Sequence, residues 1–451
     1  MWEGSTLLAA LLPLLLAGPN ASASDAVLVQ GTAQVASPAP RVKTAGSADD
    51  LFFLRSPDGS FVLIPSGRLE YDFYAFEGGA RQPPDGFAPK RVRLETFGNF
   101  LQRYDFQIGA EYTANAPVVA DAYVSTELVR DRGVNLQIGQ FDAPFTMDNR
   151  TSDKFFDLQE RSVVVRAFAF PENKENGAML WGQPPGKWAW CGVGAFNGEG
   201  FGQGLPHRDK GFVAIGRAWV APFGLAGSEL LKNVAVGGSL LDGNPLPLAA
   251  NQLPFSPLKT VGGFTFLSAA NLGVTGQTGL YGWERRIGGE LNAPIGPFVL
   301  KAEAVHVAEE MRELTTVAPI TETRRSLLVG DGEYVRLSWF AWGDPLINGL
   351  GGMENPPRLG DLRPDKTADA LQFVVEADRV RLNYVYANPS APNTTVPAGV
   401  DVLTAGVNYW QTKHVHWTAN VAEYDFLERS VSPLVTSRHA YEATARITLA
   451  L

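Results

Sequence analysis

The last eleven residues, Tyr441-Glu442-Ala443-Thr444-Ala445-Arg446-Ile447-Thr448-Leu449-Ala450-Leu451, decide the fold. Tyr441, Ala443, Ala445, Ile447, Leu449 and Leu451 are apolar, and of the residues between them only Ala450 is. A period of two sends alternate side chains to opposite faces of a strand, so this segment has one apolar face and one polar face.

The same alternation runs back through the chain. Leu69, Tyr71, Phe73 and Ala75 alternate with Arg68, Glu70, Asp72 and Tyr74. Tyr104, Phe106, Ile108 and Ala110 alternate with Asp105, Gln107 and Glu111, and Val335, Leu337 and Trp339 with Tyr334, Arg336 and Ser338. Further strands are expected near residues 89–98, 117–128, 133–141, 175–183, 187–196, 211–221, 231–241, 259–268, 280–292, 297–308, 369–387 and 400–424. Sixteen to eighteen strands follow, in an all-β fold.

The connections separate a soluble sandwich from a membrane barrel. Residues 292–297 and 411–413 read as tight turns, and residues 309–330, 343–366 and 425–437 as long polar loops. Alternating short and long connections suit a transmembrane antiparallel barrel, with turns at the periplasmic side and loops outside. Closure is required because an open edge in lipid leaves backbone groups unbonded. Trp181, Trp188, Trp339, Trp342, Trp410 and Trp417 lie near strand ends, where they either form interfacial girdles or serve as ordinary core side chains.

The rest of the chain agrees. Residues 1–23 read as a secretory signal, with an apolar core from Leu7 to Ala17 and an Ala21-Ser22-Ala23 cleavage site. Residues 24–48 read as a flexible segment, 49–66 as a lead-in β-hairpin and 67–451 as one barrel. Beyond the signal, no window approaches the roughly 18 apolar residues of a spanning helix. With 47 Gly, 26 Phe, 12 Tyr and 10 Trp, the composition favours short twisted strands with glycine at turns and bulges. The net charge of -9, without a cluster of Lys and Arg among aromatics, argues against nucleic-acid binding. The single cysteine, Cys191, excludes an intrachain disulfide and reads as a small buried hydrophobe on a strand.

If the apolar parity meets lipid, the other lines a lumen. Arg68, Arg91, Arg93, Glu284, Arg286, Lys301, Glu303, Arg336, Arg381 and Arg446 are then expected to point inward, with Glu70, Asp72, Glu95, Asp105, Glu111 and Glu290. A lipid-facing Arg or Lys near the midplane costs about 2 to 4 kcal/mol, which constrains the parity. Each arginine read singly is more a wall charge paired to a neighbouring acid than a dedicated anion site.

Several stretches together resemble the phosphate-selective porin O and P family of outer-membrane channels. They are Ile138-Gly139-Gln140-Phe141-Asp142-Ala143-Pro144-Phe145, Thr151-Ser152-Asp153-Lys154-Phe155, Glu160-Arg161-Ser162, Gly194-Ala195-Phe196-Asn197-Gly198-Glu199-Gly200 and Gly406-Val407-Asn408-Tyr409-Trp410. The segment from Phe53 to Phe61 looks like the lead-in of such porins. The resemblance implies a sixteen-stranded barrel, usually a homotrimer, whose third loop folds into the pore. It implies a water-filled passive channel for small polar or anionic solutes, phosphate among the candidates, surrounded by outer-membrane lipid. No cofactor, metal or catalytic residue is implied. Two departures stand out: the chain ends in Leu451 where such barrels usually end in an aromatic, and it is acidic overall.

The segment from Ala143 to Pro171 fits the pore-folded loop. It carries Lys154, Arg161 and Arg166 among Phe155, Phe156, Phe168 and Phe170, suited to aromatics packed on the wall with basic heads in the passage. The other reading is an outward-lying surface loop.

Two rival functions come from other classes: an adhesive or structural barrel with a plugged lumen, and a barrel hydrolase. Against the hydrolase, His207, His306, His414, His416 and His439 form no metal-spaced group except His414 and His416, expected on one strand face. No Gly-x-Ser-x-Gly or His-Glu-x-x-His motif occurs, and Gly198, Gly200, Gly202 and Gly204 read as a hairpin loop.

Overall fold

The computed structural model describes residues 44–48, 51–77, 85–112, 117–129, 133–169, 174–198, 212–244, 257–268, 277–279, 283–314, 322–343, 345, 369–388, 391–412, 414–427 and 438–450. The signal segment, most of residues 24–48, Phe170, Pro171, Gly200, Gly202, Gly204, His207 and Leu451 lie outside the described residues.

Sixteen strands form the wall. They are β1 (Phe61–Glu77), β2 (Gly86–Phe100), β3 (Tyr104–Glu111), β4 (Val118–Val129), β5 (Val134–Asp142), β6 (Lys174–Gly182), β7 (Ala189–Phe196) and β8 (Val213–Val220). Then come β9 (Ala235–Gly243), β10 (Glu284–Ile295), β11 (Phe298–Leu314), β12 (Glu322–Trp342), β13 (Ala370–Asn388), β14 (Ala391–Trp410), β15 (Val415–Phe426) and β16 (His439–Ala450). Each pairs antiparallel with its neighbour, and β16 closes on β1, Thr444 facing Tyr74. The rest of the sheet is a three-residue strand, Gln277–Gly279, beside the tip of β11, and two lead-in strands, Ala45–Ala48 and Leu51–Arg55. Within the segment 49–66, Leu51–Arg55 turns back through residues 56–60 and pairs with the start of β1, Leu54 facing Leu63 and Arg55 facing Val62, and on its other side it pairs with Ala45–Ala48.

Alternation explains both faces. On the outside Val335, Leu337, Phe373, Val375, Leu403 and Val421 are all at least 41% exposed, forming an apolar band. Trp339, Trp342 and Trp417 stand on the outer face toward the end of the barrel that carries the two-residue turn between β10 and β11. Trp190 and Trp410 face inward instead, Trp410 stacked on His416 at 3.7 Å.

At the other end the polarity inverts. Above the apolar band the outward residues become Glu333 on β12, Arg379 on β13, Asp401 on β14 and Glu423 on β15. The inward residues at that height are apolar, among them Val305, Val307, Leu328, Val380, Leu382 and Val400, all 3% exposed or less. Beyond the bilayer the wall behaves like a soluble sheet packed on a core. Arg381, expected to point inward, stands outside for this reason. Its neighbours Val380 and Leu382 take the inward positions, and Arg381 stands on the outer parity with Asp401 at 2.6 Å.

Three connections also differ from expectation. Most of 309–330 belongs to β11 and β12, whose strands run beyond the bilayer. Of residues 343–366 only 343 and 345 are described, but β12 ends at Trp342 and β13 begins at Ala370 at the end that carries the tight turn 296–297, so not every long connection starts from the loop side. Residues 259–268 form no wall strand. Leu258–Lys259 and Thr265–Leu267 pair as a small separate hairpin.

The candidate pore and its constriction

The connection between β5 and β6 turns into the barrel. Its first helix, α1 (Met147–Arg150), is capped by Thr146, whose side chain accepts from the Asn149 amide. The amides of Met147 and Asp148 donate to Glu303 on β11, where unpaired helix N–H groups favour a carboxylate. The second helix, α2 (Val163–Phe168), starts at Ser162. The Ser162 hydroxyl accepts from the Val164 amide and donates to Asp378 on β13 at 2.6 Å. Val164 and Phe168 lie against Gly330 and Gly332 of β12, where an added Cβ would stand 2.7 Å from ring or methyl carbons. Glycine there lets the helix approach the wall.

The inward loop is fixed to the wall by its acids. Asp153 pairs with Arg68 and, at 3.0 Å, with Arg91. Asp157 lies 2.6 Å from Lys301 and 3.4 Å from Arg336, and Asp148 lies 3.1 Å from Arg336. Glu160 lies 3.1 Å from Arg91 and 2.8 Å from Arg446. Burial pushes the Glu160 carboxyl up, but Arg91, Lys90 and Arg446 outweigh it and hold the group well below the usual carboxylate range. For Asp157 burial is likewise outweighed, by Lys301 and Arg336, and for Asp153 by Arg68, Arg93 and Arg91.

Of the wall cations expected to line the pore, Arg68, Arg91, Arg93, Arg286, Lys301, Arg336 and Arg446 all face inward and are 9% exposed or less. Glu284 and Glu303 face inward too. Six of these cations are held by loop groups: Arg68, Arg91, Lys301, Arg336 and Arg446 by its acids, and Arg286 by the carbonyls of Phe168 and Ala169 as well as by Glu284 and Glu309. The acids at 148, 153, 157 and 160 recur every three to five residues in the loop. That spacing was the available sequence signal for this docking, and a reading centred on the basic residues passes over it.

The three loop cations do not converge. Lys154 turns to the β2 wall and pairs with Glu95 at 2.8 Å. Arg161 lies over the Phe156 ring at 4.6 Å and donates to the carbonyls of Asp148, Asn149 and Thr151, closing the end of α1. Arg166 donates to the carbonyls of Arg161 and Lys259 on the opposite side. Carbonyl oxygens accept hydrogen bonds without neutralising a guanidinium, and both charges act through space on nearby acids, Arg161 on Asp153 and Arg166 on Asp378 and Glu442.

A second segment fills the lumen beside β15, β16 and β1. In the hairpin at 258–267, the Thr260 hydroxyl and the Gly262 amide donate to Glu442 at 2.8 and 2.7 Å. Phe264 packs on Phe76 at 5.2 Å and Phe266 on Phe426 at 5.1 Å. Open space remains on the β2–β6 side, in a cavity of about 560 Å³. Six basic side chains (Arg68, Arg93, Arg150, Lys154, Arg161 and Lys174) and four acidic ones (Glu95, Asp121, Asp142 and Asp153) line it.

The remaining candidates are placed as follows. His414 lies in the turn before β15 and bonds the Ala450 carbonyl, whereas His416 is buried in the lumen beside Asn408, so the two do not share a strand face. Cys191 is 5% exposed, within β7. Among the described residues no group of three or more His, Cys, Asp or Glu side chains is placed to hold a metal.

Comparison with the solved OmpT structures finds the same fold. An in-vitro folded OmpT, an outer-membrane protein of Vibrio cholerae, aligns over 88% of this chain and 99% of its own at 10% identity, TM-score 0.52. A trimer form of in-vitro folded OmpT aligns over 87% of this chain and 100% of its own at 10% identity, TM-score 0.51. The anion-selective porin of Comamonas acidovorans aligns over 86% and 99% at 9% identity with a TM-score of 0.46. No curated protein matches the sequence. The family model of phosphate-selective porin O and P matches residues 66–440. A closed sixteen-stranded outer-membrane barrel with this match over most of its length belongs to the phosphate-selective porin O and P family, and the chain is an outer-membrane porin.

Proposed function

We propose that the protein is a passive, non-catalytic channel for small anions, phosphate among them, and that solutes pass on the β2–β6 side between the wall and the inward loop. The observation that carries this reading is the cavity there, in which basic side chains outnumber acidic ones. On the opposite side the loop and the hairpin at 258–267 pack on the wall. In a narrow passage the effective dielectric falls below that of bulk water, so a small excess of fixed cations enriches anions. Lys154 and Arg161 act at this cavity and Arg166 at the far side of the loop. Arg68 and Arg93 belong to the passage directly, Arg68 while also holding the loop through Asp153, and Arg91, Arg286, Lys301, Arg336 and Arg446 act by holding the loop. The trimer form of the OmpT barrel supports a homotrimer here.

Planar-bilayer recording of the purified protein tests the reading. A reversal potential of anionic sign in a KCl gradient is expected. A cationic sign would show that Glu95, Asp121, Asp142 and Asp153 control the passage.

A further inference from the structure

The cavity on the β2–β6 side holds more than charge. Tyr123, Phe155 and Trp181 line it and are each only partly covered, while the Trp190 ring has the guanidiniums of Arg150 and Arg217 at 5.2 and 5.7 Å from its centroid. Gln107 and Gln137 add neutral polar groups. A spherical anion can use only the ring edges and the polar N–H or O–H tips of these side chains, and gains nothing from their faces. A flat ring does, through offset stacking and edge contacts.

The charges narrow the class further. Lys174 is held between Asp121 and Asp142, each at 2.7 Å, and Lys154 is bound to Glu95. A multiply charged anion entering this site meets those carboxylates at close range. A monoanion meets the net excess of cations with less repulsion. At about 560 Å³ the space falls within the range of sites that enclose small organic molecules, with room for a ring and several waters.

From these observations we infer that the cavity is a transit site for monoanionic ring solutes, aromatic carboxylates being the class, which stack on Tyr123, Phe155 and Trp181 while their carboxylate meets the basic side chains. The inference rests on the reading of the protein as an anion channel and names a solute class for the same passage.

Benzoate and acetate, which carry the same charge and differ by the ring, are the probes. With the wild-type protein in a planar bilayer carrying a chloride current, millimolar benzoate is expected to reduce that current severalfold more than acetate does. Trp181→Leu and Tyr123→Leu should each lower the benzoate effect severalfold, beyond any change in chloride conductance. Equal effects of benzoate and acetate, with anion preference in KCl intact, would overturn the ring site and leave the channel reading standing. Cation preference in KCl would overturn the channel reading and the ring site with it. The wild-type comparison stands even if a variant fails to assemble.

Discussion

The carboxylate of Glu160, on the inward loop, lies 2.8 Å from the guanidinium of Arg446, on the strand that closes the barrel. Arg446 also pairs with Asp72 at 2.7 Å and with Glu70 at 3.1 Å, so one guanidinium joins the first strand, the last strand and the loop. Removing one partner of a buried pair costs about 3 to 5 kcal/mol, because the other charge is left uncompensated. Arg446→Gln is therefore expected to lower the temperature of the heat-induced gel shift in detergent and to add open-channel noise. An unchanged transition temperature would show that the knot adds no net stability.

Acid should release the loop late. Glu160 and Asp157 are depressed in the folded protein, so their contribution is present above the unfolded carboxylate pKa of about 4 and is lost only as pH falls through the lower folded values. The conductance step that a Glu160→Gln, Asp157→Asn variant lacks, corrected for bulk conductivity, should come only below about pH 4. A step between pH 6 and 5 that this variant abolishes would contradict the assignment of these acids as anchors.

The height of the lipid boundary is testable on one strand. Leu403 and Asp401 of β14 share the outer parity, but Leu403 is 53% exposed within the apolar band and Asp401 stands above it beside Arg379 and Arg381. Leu403→Arg should reduce membrane assembly, at a cost of up to about 2 to 4 kcal/mol. Asp401→Asn removes a solvent-exposed ion pair and should cost under about 1 kcal/mol. Equal recovery of both variants in the outer-membrane fraction would mean that the boundary lies elsewhere.

The hairpin at 258–267 is expected to act as a second obstruction. Replacing residues 258–267 with a short Gly/Ser linker should raise single-channel conductance while the barrel still assembles, since none of these residues pairs with a wall strand. Conductance equal to that of the intact protein would show that this part of the lumen carries no current with or without the hairpin.

Charge reversal should count inside and not outside. Arg166 bonds only carbonyl oxygens among the described residues, whereas Arg285 on the outer face pairs with Asp242 at 2.5 Å. Arg166→Glu should shift the KCl reversal potential toward cation preference, and Arg285→Glu should leave it close to wild type. Equal shifts would point to a diffuse surface potential in place of a local field.

The sequence by itself determined the barrel and a scale of sixteen to eighteen strands. The inward turn of the loop after β5 is only what the family resemblance implies, with a surface loop as the other reading, and the packing of Val164 and Phe168 on β12 decided it. Alternation along a strand is a local property, and lipid outside a closed wall requires one apolar parity. The lumen-facing positions of Arg68, Arg91, Arg93, Arg336 and Arg446 followed from the same rule. Tertiary structure decided where that rule stops. The alternation of Val380, Arg381 and Leu382 looks the same whether the apolar side meets lipid or a packed loop, and only the presence of Phe168 and Val164 inside the barrel assigns it to the loop. For the same reason the alternation alone points Arg381 inward and makes the Leu258–Leu267 hairpin look like wall. Ion pairing was hidden likewise: Asp157 meets Lys301 and Arg336 from 144 and 179 residues away, a proximity created by closing the barrel around the loop and by nothing local in the chain.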